Sequence, residues 1–274
     1  MKLGQHFLKS ESLAQKIAET AAIAPNDVVL EIGPGKGILT AELIKRAKKV
    51  IAAEKDVELV KFLKEKFVLA DYPATDRLKI IHADALKFNP KFQLGGLASK
   101  YKIAANIPYY ITSRFLRIFL ESDCQPSAMT LMVQKEVAQR IVAQPPKMNL
   151  LAISVQVFSQ PKIAFKVSRK YFSPAPKVDS AVIAVANISR DFFIKNDIKE
   201  KRFFALVKAG FSHKRKLLIN NLKNLFLDKD REKEKTWRLS LQVEKIFKKC
   251  GVPEKARAEN LTLENWVCLT KILE

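Results

Sequence analysis

Short apolar runs alternate with amphipathic stretches across roughly the first 190 of the 274 residues, and no other feature restricts the fold so tightly. Residues 28–32, 50–54, 78–83, 102–106 and 128–134 are rich in Val, Ile and Leu and too short for core helices, so they are predicted as buried strands. Between them, residues 37–47, 57–67 and 112–120 carry apolar side chains at helical spacing. Strands apolar on both faces, separated by helices, assemble as a parallel sheet covered on both sides. Ahead of the first strand, residues 10–24 are predicted as a helix capped by Ser10 and ended by Pro25-Asn26-Asp27.

The pattern changes after the fifth strand. Residues 152–159 and 180–187 alternate as strands do, and the segment between them carries Pro161, Pro174 and Pro176. No crossover helix is evident there, which predicts an antiparallel pair at the sheet edge. Residues 188–200 turn polar and charged, and from Lys201 onward every apolar pattern is helical. The expected architecture is α/β: a Rossmann-like sheet, mostly parallel with an antiparallel edge hairpin, in residues 1–190, and a small all-α domain in residues 191–274.

Lys and Arg number 49 against 28 Asp and Glu, a formal net charge of +21, while apolar residues make up 48% of the chain. The composition is that of a folded globular protein. The charge points to an anionic partner, most often nucleic acid, whose released counterions drive association. Cys124, Cys250 and Cys268 stand at wide spacing that matches neither a disulfide framework nor a zinc site, so buried thiols in a reducing, cytoplasmic setting are expected, with no metal. The opening Met1–His6 has no signal-peptide core, and no apolar run is long enough to span a membrane.

Residues 29–37 (VLEIGPGKG) run from a strand through a glycine turn into a helix. Glycines let the backbone approach a ligand, and a helix start offers unpaired N–H groups. The spacing is G-x-G-x-G rather than the dinucleotide pattern G-x-G-x-x-G, and Pro34 stiffens the turn. Glu54 closes the next strand, 21 positions after Gly33, where a carboxylate accepts from ribose hydroxyls. Asp84 follows the third strand and is placed to accept from an adenine amine. Polar groups at three consecutive strand ends define one ligand-binding rim.

Asn106-Ile107-Pro108-Tyr109 follows the fourth strand. It is a variant of D/N-P-P-Y, a motif of methyltransferases that act on planar exocyclic amines. The lone pair of such an amine is delocalised into its ring. Acceptors at its N–H groups, here the Asn106 side-chain oxygen and the backbone carbonyl of Ile107 or Pro108, favour a more tetrahedral and nucleophilic nitrogen. Alignment and electrostatic placement then supply most of the rate. Tyr109 is expected to stack on a base withdrawn from the surrounding RNA.

With these motifs in order, the chain resembles the ribosomal RNA adenine dimethyltransferases of the KsgA type. The opening Gly4-Gln5-His6-Phe7-Leu8, the blocks EIGPGKGILT (31–40), NIPY (106–109), VQKEVAQRI (133–141) and YFSPAPKVDSAVI (171–183), and FSHKRKLLINNLK (211–223) carry the resemblance over most of the chain. It implies a Rossmann-like methyltransferase fold and S-adenosylmethionine as methyl donor, held by His6, Leu8, Gly33, Glu54, Asp84 and Asn106. It also implies that Phe172 faces Tyr109 across the target adenine. The implied reaction is dimethylation of two adjacent adenines in a hairpin loop near the 3′ end of small-subunit rRNA, within a ribosomal particle and by a monomer. His6 stands where Asn is commoner in the family, and Tyr110 where a smaller amide residue is frequent.

An Erm-type large-subunit rRNA methyltransferase shares the donor motifs and the chemistry, and a non-catalytic RNA-binding assembly factor shares the fold. The block at 211–223 favours the small-subunit reading, and the intact NIPY motif favours catalysis. Within that block Lys214, Arg215 and Lys216 are the expected phosphate contacts.

Overall fold

Val28–Ile32 forms the central strand β2, with all five side chains buried, as a strand covered on both faces requires. This computed structural model describes residues 6–69, 75–95, 101–226 and 244–273. The chain begins with β1 (Phe7–Leu8) and α1 (Glu11–Thr20), whose first turn is capped by Ser10 accepting from the Leu13 N–H at 3.2 Å. After β2 come α2 (Ile38–Ile44), β3 (Lys49–Glu54), α3 (Val57–Lys64), β4 (Leu78–His82), α4 (Pro90–Leu94), β5 (Tyr101–Asn106), α5 (Thr112–Leu120) and β6 (Ala128–Gln134). Next are α6 (Lys135–Ile141), α7 (Leu150–Gln156), β7 (Gln160–Val167), β8 (Phe172–Ser173) and β9 (Ser180–Ala186). Helices then follow: α8 (Asp191–Asn196), α9 (Glu200–Gly210), α10 (Leu218–Phe226), α11 at residues 244–249 and α12 (Leu263–Ile272).

The main sheet has seven strands in the order β4-β3-β2-β5-β6-β9-β7. The pairs β4–β3, β3–β2, β2–β5 and β5–β6 are parallel, whereas β9 runs antiparallel to both β6 and β7. The Rossmann-like sheet with an antiparallel edge is therefore present. A separate two-stranded ribbon pairs Leu8 with Phe172 and Phe7 with Ser173, carrying the start of the chain to the proline-rich loop. One apolar cluster joins α1, α2, α3 and the sheet through Ile17, Val29, Leu43, Val50, Leu63 and Phe67. Full burial of each such side chain contributes about 1.5–3 kcal/mol.

One expected strand is a helix. Residues 150–156 form α7, started by Asn149, whose side chain accepts from the Ala152 N–H at 3.1 Å. Buried Leu151, Ala152, Ile153 and Val155 fit a helical face as readily as a strand, and the cap decides between them. The outer strand of the antiparallel pair is instead β7.

The described residues divide into two compact units. One falls within Met1–Gln139 and Ser159–Ser189, and the other within Arg140–Phe158 and Arg190–Glu274. The second unit has its own aromatic core, in which Phe158, Phe193, Phe203 and Phe204 make ring contacts at 5.4–6.1 Å. It also holds a disulfide between Cys250 and Cys268, with Cα atoms 5.5 Å apart, so the expectation of free thiols is corrected for these two. The Asn265 amide donates to the Cys250 carbonyl at 2.9 Å and seats α12 beside it, which is what brings Cys268 within bonding reach. Cys124 is free. Among the described residues, no helix is long and apolar enough to cross a membrane.

Candidate active site

Parallel register sets the C-terminal ends of β2, β3, β4 and β5 side by side, with Glu54 opposite His82 and Ile32 beside both Ala53 and Ala105. The turn after β2 then has to reverse direction within a few residues. Gly33 (φ +67°) and Gly37 (φ +75°) both take the left-handed conformation that side chains disfavour. A Cβ on Gly37 would lie 2.5 Å from Phe67, so the turn is pressed against the core. The Gly33 N–H donates to the Ala53 carbonyl at 2.9 Å and locks the turn to β3.

Two clefts open along this rim, of about 770 and 570 Å³. Gly33, Glu54 and Pro108 line both. His6, Leu8 and Asn106 line the first, and Asp84 lines the second. The six residues expected at the donor site thus line two clefts that share Gly33, Glu54 and Pro108. Glu54 is buried, its carboxylate accepting from the N–H groups of Lys55 (2.8 Å), Asp56 (3.0 Å) and Gly35 (3.2 Å). Three backbone donors fix its position at the junction. Asp84 accepts from the Leu86 N–H at 2.9 Å and pairs with Lys55 at 3.0 Å. These contacts, the Leu86 bond foremost, hold its carboxyl below the usual carboxylate range.

Asn106 ends β5 opposite Met132. Its side-chain amide donates through Nδ2 to the His6 carbonyl at 3.3 Å, which directs Oδ1 away from that contact as an available acceptor. The Pro108 carbonyl accepts from the Ile111 N–H at 3.1 Å, closing the short turn that presents Tyr109. The Tyr109 hydroxyl shares a 2.7 Å hydrogen bond with Ser180 Oγ, and burial raises its pKa. Phe172 is 2% exposed and belongs to the apolar cluster with Leu8 and Val182; in this conformation its ring fills the core rather than lining the groove. Lys214, Arg215 and Lys216 are exposed on the turn between α9 and α10 in the second unit. The buried Asn221 amide donates to the Gly210 and His213 carbonyls at 2.6 and 3.1 Å and holds that turn.

Two participants went unremarked in the sequence. Glu31, in the middle of β2, is fully buried in the wall of the larger cleft, and its Oε2 has no hydrogen-bond partner. Burial, with repulsion from Glu54, pushes its carboxyl up to about 8. The signal was available, since a lone acid in VVLEI has no structural purpose in a central strand. Ser180 gave no comparable signal, because its tie to Tyr109 spans 71 positions.

The sequence matches the ribosomal RNA adenine dimethylase family over residues 1–273. It is 42% identical over 268 residues to ribosomal RNA small subunit methyltransferase A of Dehalococcoides mccartyi, covering 97% of this chain and 86% of that protein. The corresponding Clostridium botulinum protein is 39% identical over 96% of this chain and 90% of its own. Among solved structures, a dimethyladenosine transferase from Plasmodium falciparum superposes with a TM-score of 0.75 at 28% identity, covering 96% of each chain. The 23S rRNA methyltransferase ErmE does so with a TM-score of 0.72 at 27% identity, covering 97% of this chain and 99% of its own. Matched along nearly its whole length in both sequence and fold, the chain belongs to the ribosomal RNA adenine dimethylase family.

Proposed function

We propose that this protein dimethylates the N6 amines of two adjacent adenines in a hairpin loop near the 3′ end of small-subunit rRNA, using S-adenosylmethionine. The observation that carries the reading is the Asn106 amide, oriented by the His6 carbonyl so that Oδ1 is an available acceptor beside the larger cleft. The names of the Dehalococcoides and Clostridium relatives support the small-subunit target.

The groove suits the donor along its length. Asp84 accepts from the adenine amine, Glu54 from the ribose hydroxyls, and Gly33 gives backbone clearance at the junction. Glu31 lines the same cleft, and a ligand ammonium there would satisfy its unpartnered Oε2. His6 and Leu8 close the larger cleft from β1 and its approach. S-adenosylmethionine supplies an electrophilic methyl group when bound. Asn106 Oδ1 and the Ile107 carbonyl accept from the target amine, Pro108 fixes the turn that presents them, and Tyr109 supports the base. Phe172 would become the opposite face of that base only by turning out of the core.

The catalytic part of the chain then lies within residues 1–190, apart from residues 140–158, which group with the helices of 191–274; that helical part contacts RNA, with Lys214, Arg215 and Lys216 on phosphates. We place the protein in the cytoplasm as a monomer acting on a ribosomal particle. The test is methyl transfer from labelled donor to separated small and large subunits lacking native methylation, followed by mapping of the product. Label on adjacent small-subunit adenines is expected. Label on the large subunit alone would favour an Erm-type target, the reading to which the ErmE likeness lends weight.

A further inference from the structure

Tyr109 and Tyr110 are successive residues of one 3₁₀ turn, yet they line different clefts: Tyr109 the larger one with Asn106, and Tyr110 the second one with Asp84. Such a turn rotates by about 120° per residue, so neighbouring side chains must diverge. We infer that Tyr110 is the aromatic cover of the donor's adenine, laid against the flat face of the base whose amine donates to Asp84. The inference rests on the donor reading above and assigns a stacking partner to a ring that this reading leaves uncovered.

The second cleft has the chemistry of a purine pocket. Ile32, Ala53, Leu86, Pro108 and Ile111 give it apolar surface for a flat ring, and Asp84 supplies an acceptor for the edge. Tyr110 is the only aromatic side chain among the described residues that line it. Its side chain is 71% exposed, so the ring still has apolar area to bury, and a stacked base would bury it. The backbone beneath is fixed. The Ile111 N–H donates to the Pro108 carbonyl and the Thr112 hydroxyl to the Tyr109 carbonyl, both at 3.1 Å. Tyr110 therefore swings about its own side-chain bonds while its root stays beside the cleft. Lys55 shows which way the ring lies. Its pKa is raised, chiefly by the hydrogen bond to Asp84 with a smaller contribution from the Tyr110 phenol, so that phenol stands within electrostatic reach of the Lys55–Asp84 pair.

Two ligands and two substitutions isolate the ring. S-adenosylhomocysteine carries the whole donor frame without the methyl group, and 5′-methylthioadenosine keeps the adenosine but lacks the amino-acid end. By calorimetry on the full-length protein, Tyr110→Ala is expected to raise the dissociation constants of both about tenfold, the scale of one lost stacking face. Tyr110→Phe keeps both within about threefold of wild type, because any aromatic face stacks. At saturating donor, the KM of Tyr110→Ala for the ribosomal particle stays within about twofold, since the ring serves the donor rather than the RNA. Thermal melting without ligand checks that both variants fold. Unchanged affinities in Tyr110→Ala, a loss confined to S-adenosylhomocysteine, or a Tyr110→Phe variant as weak as Tyr110→Ala would overturn the inference. A raised particle KM with donor affinity intact would overturn it as well, and would assign the ring to RNA. Failure of the wild-type protein to bind S-adenosylhomocysteine would instead remove the donor reading, and the inference with it.

Discussion

Lys55 holds the carboxylate of Asp84 in an ion pair at 3.0 Å across the ends of β3 and β4. With the Leu86 N–H on the other oxygen, both sides of the carboxylate are engaged, and a ligand amine has to share Oδ2 with an exposed lysine. Asp84→Asn keeps the shape but exchanges one acceptor oxygen for a donor. Its dissociation constant for the donor is expected to rise about tenfold, the usual scale for a lost hydrogen bond to a charged group. Calorimetry with S-adenosylmethionine checks this, and unchanged affinity would remove Asp84 from the site.

Asn106→Ala deletes the acceptor for the target amine while leaving β5 intact. Single-turnover methylation should slow by about 10²–10³-fold, the range seen when one preorganised group is lost. The melting temperature should stay close to wild type, because the fold of the strand end is kept. Robust dimethylation by this variant would refute the role given to Asn106.

Glu31 gives a signature in pH. Its carboxyl titrates near 8 in the folded protein against an ordinary value of 4.5, so the folded state keeps a proton that the unfolded chain releases. The stability it contributes is complete below pH 4.5 and declines as pH rises toward 8. Glu31→Gln cannot ionise. Its melting temperature relative to wild type should therefore climb between those two pH values and level off beyond them. A constant difference across that window would mean that Glu31 is not protonated in the folded protein.

Changing Lys214, Arg215 and Lys216 together to Ala should weaken particle binding and reduce the slope of log affinity against log salt by about 2–3. Donor affinity stays unaltered. An identical salt titration for wild type and variant would assign these cations to the solvated surface.

The Cys250–Cys268 bond closes a loop of 18 positions, for which chain entropy gives about 3 kcal/mol. Reductant, or paired replacement by Ala, should lower the melting temperature of the helical unit by several degrees. Melting that is indifferent to reductant would show that the bond does not form in solution.

The parallel core was legible because both faces of its inner strands are buried: residues 28–32 and 128–134 fall on β2 and β6 without displacement. The groove could be read for a related reason, since consecutive strand ends in a parallel sheet must share a rim. What local pattern could not supply was long-range pairing. Asn149 was a local helix-start signal beside an apolar run that reads either way, whereas the link between Cys250 and Cys268 depends on how α12 is seated. The placement of Phe172 in the core likewise follows from its pairing with Leu8, 164 positions earlier.

The course of the chain between its two units carries a practical consequence for dissection. Residues 140–158 leave the sheet and join the later helices, through the Met148 N–H bond to the Glu259 carbonyl and the ring of Phe158 against Phe193 and Phe204, before the chain returns for β7 and β9. A stop codon after Ser189 would therefore yield no tidy catalytic fragment. It would strand Phe158 and α7 without their packing partners, leaving an adhesive apolar surface prone to aggregation. Separating the activities calls for point substitutions on the whole protein, or for an excision that also replaces residues 140–158 with a short polar linker.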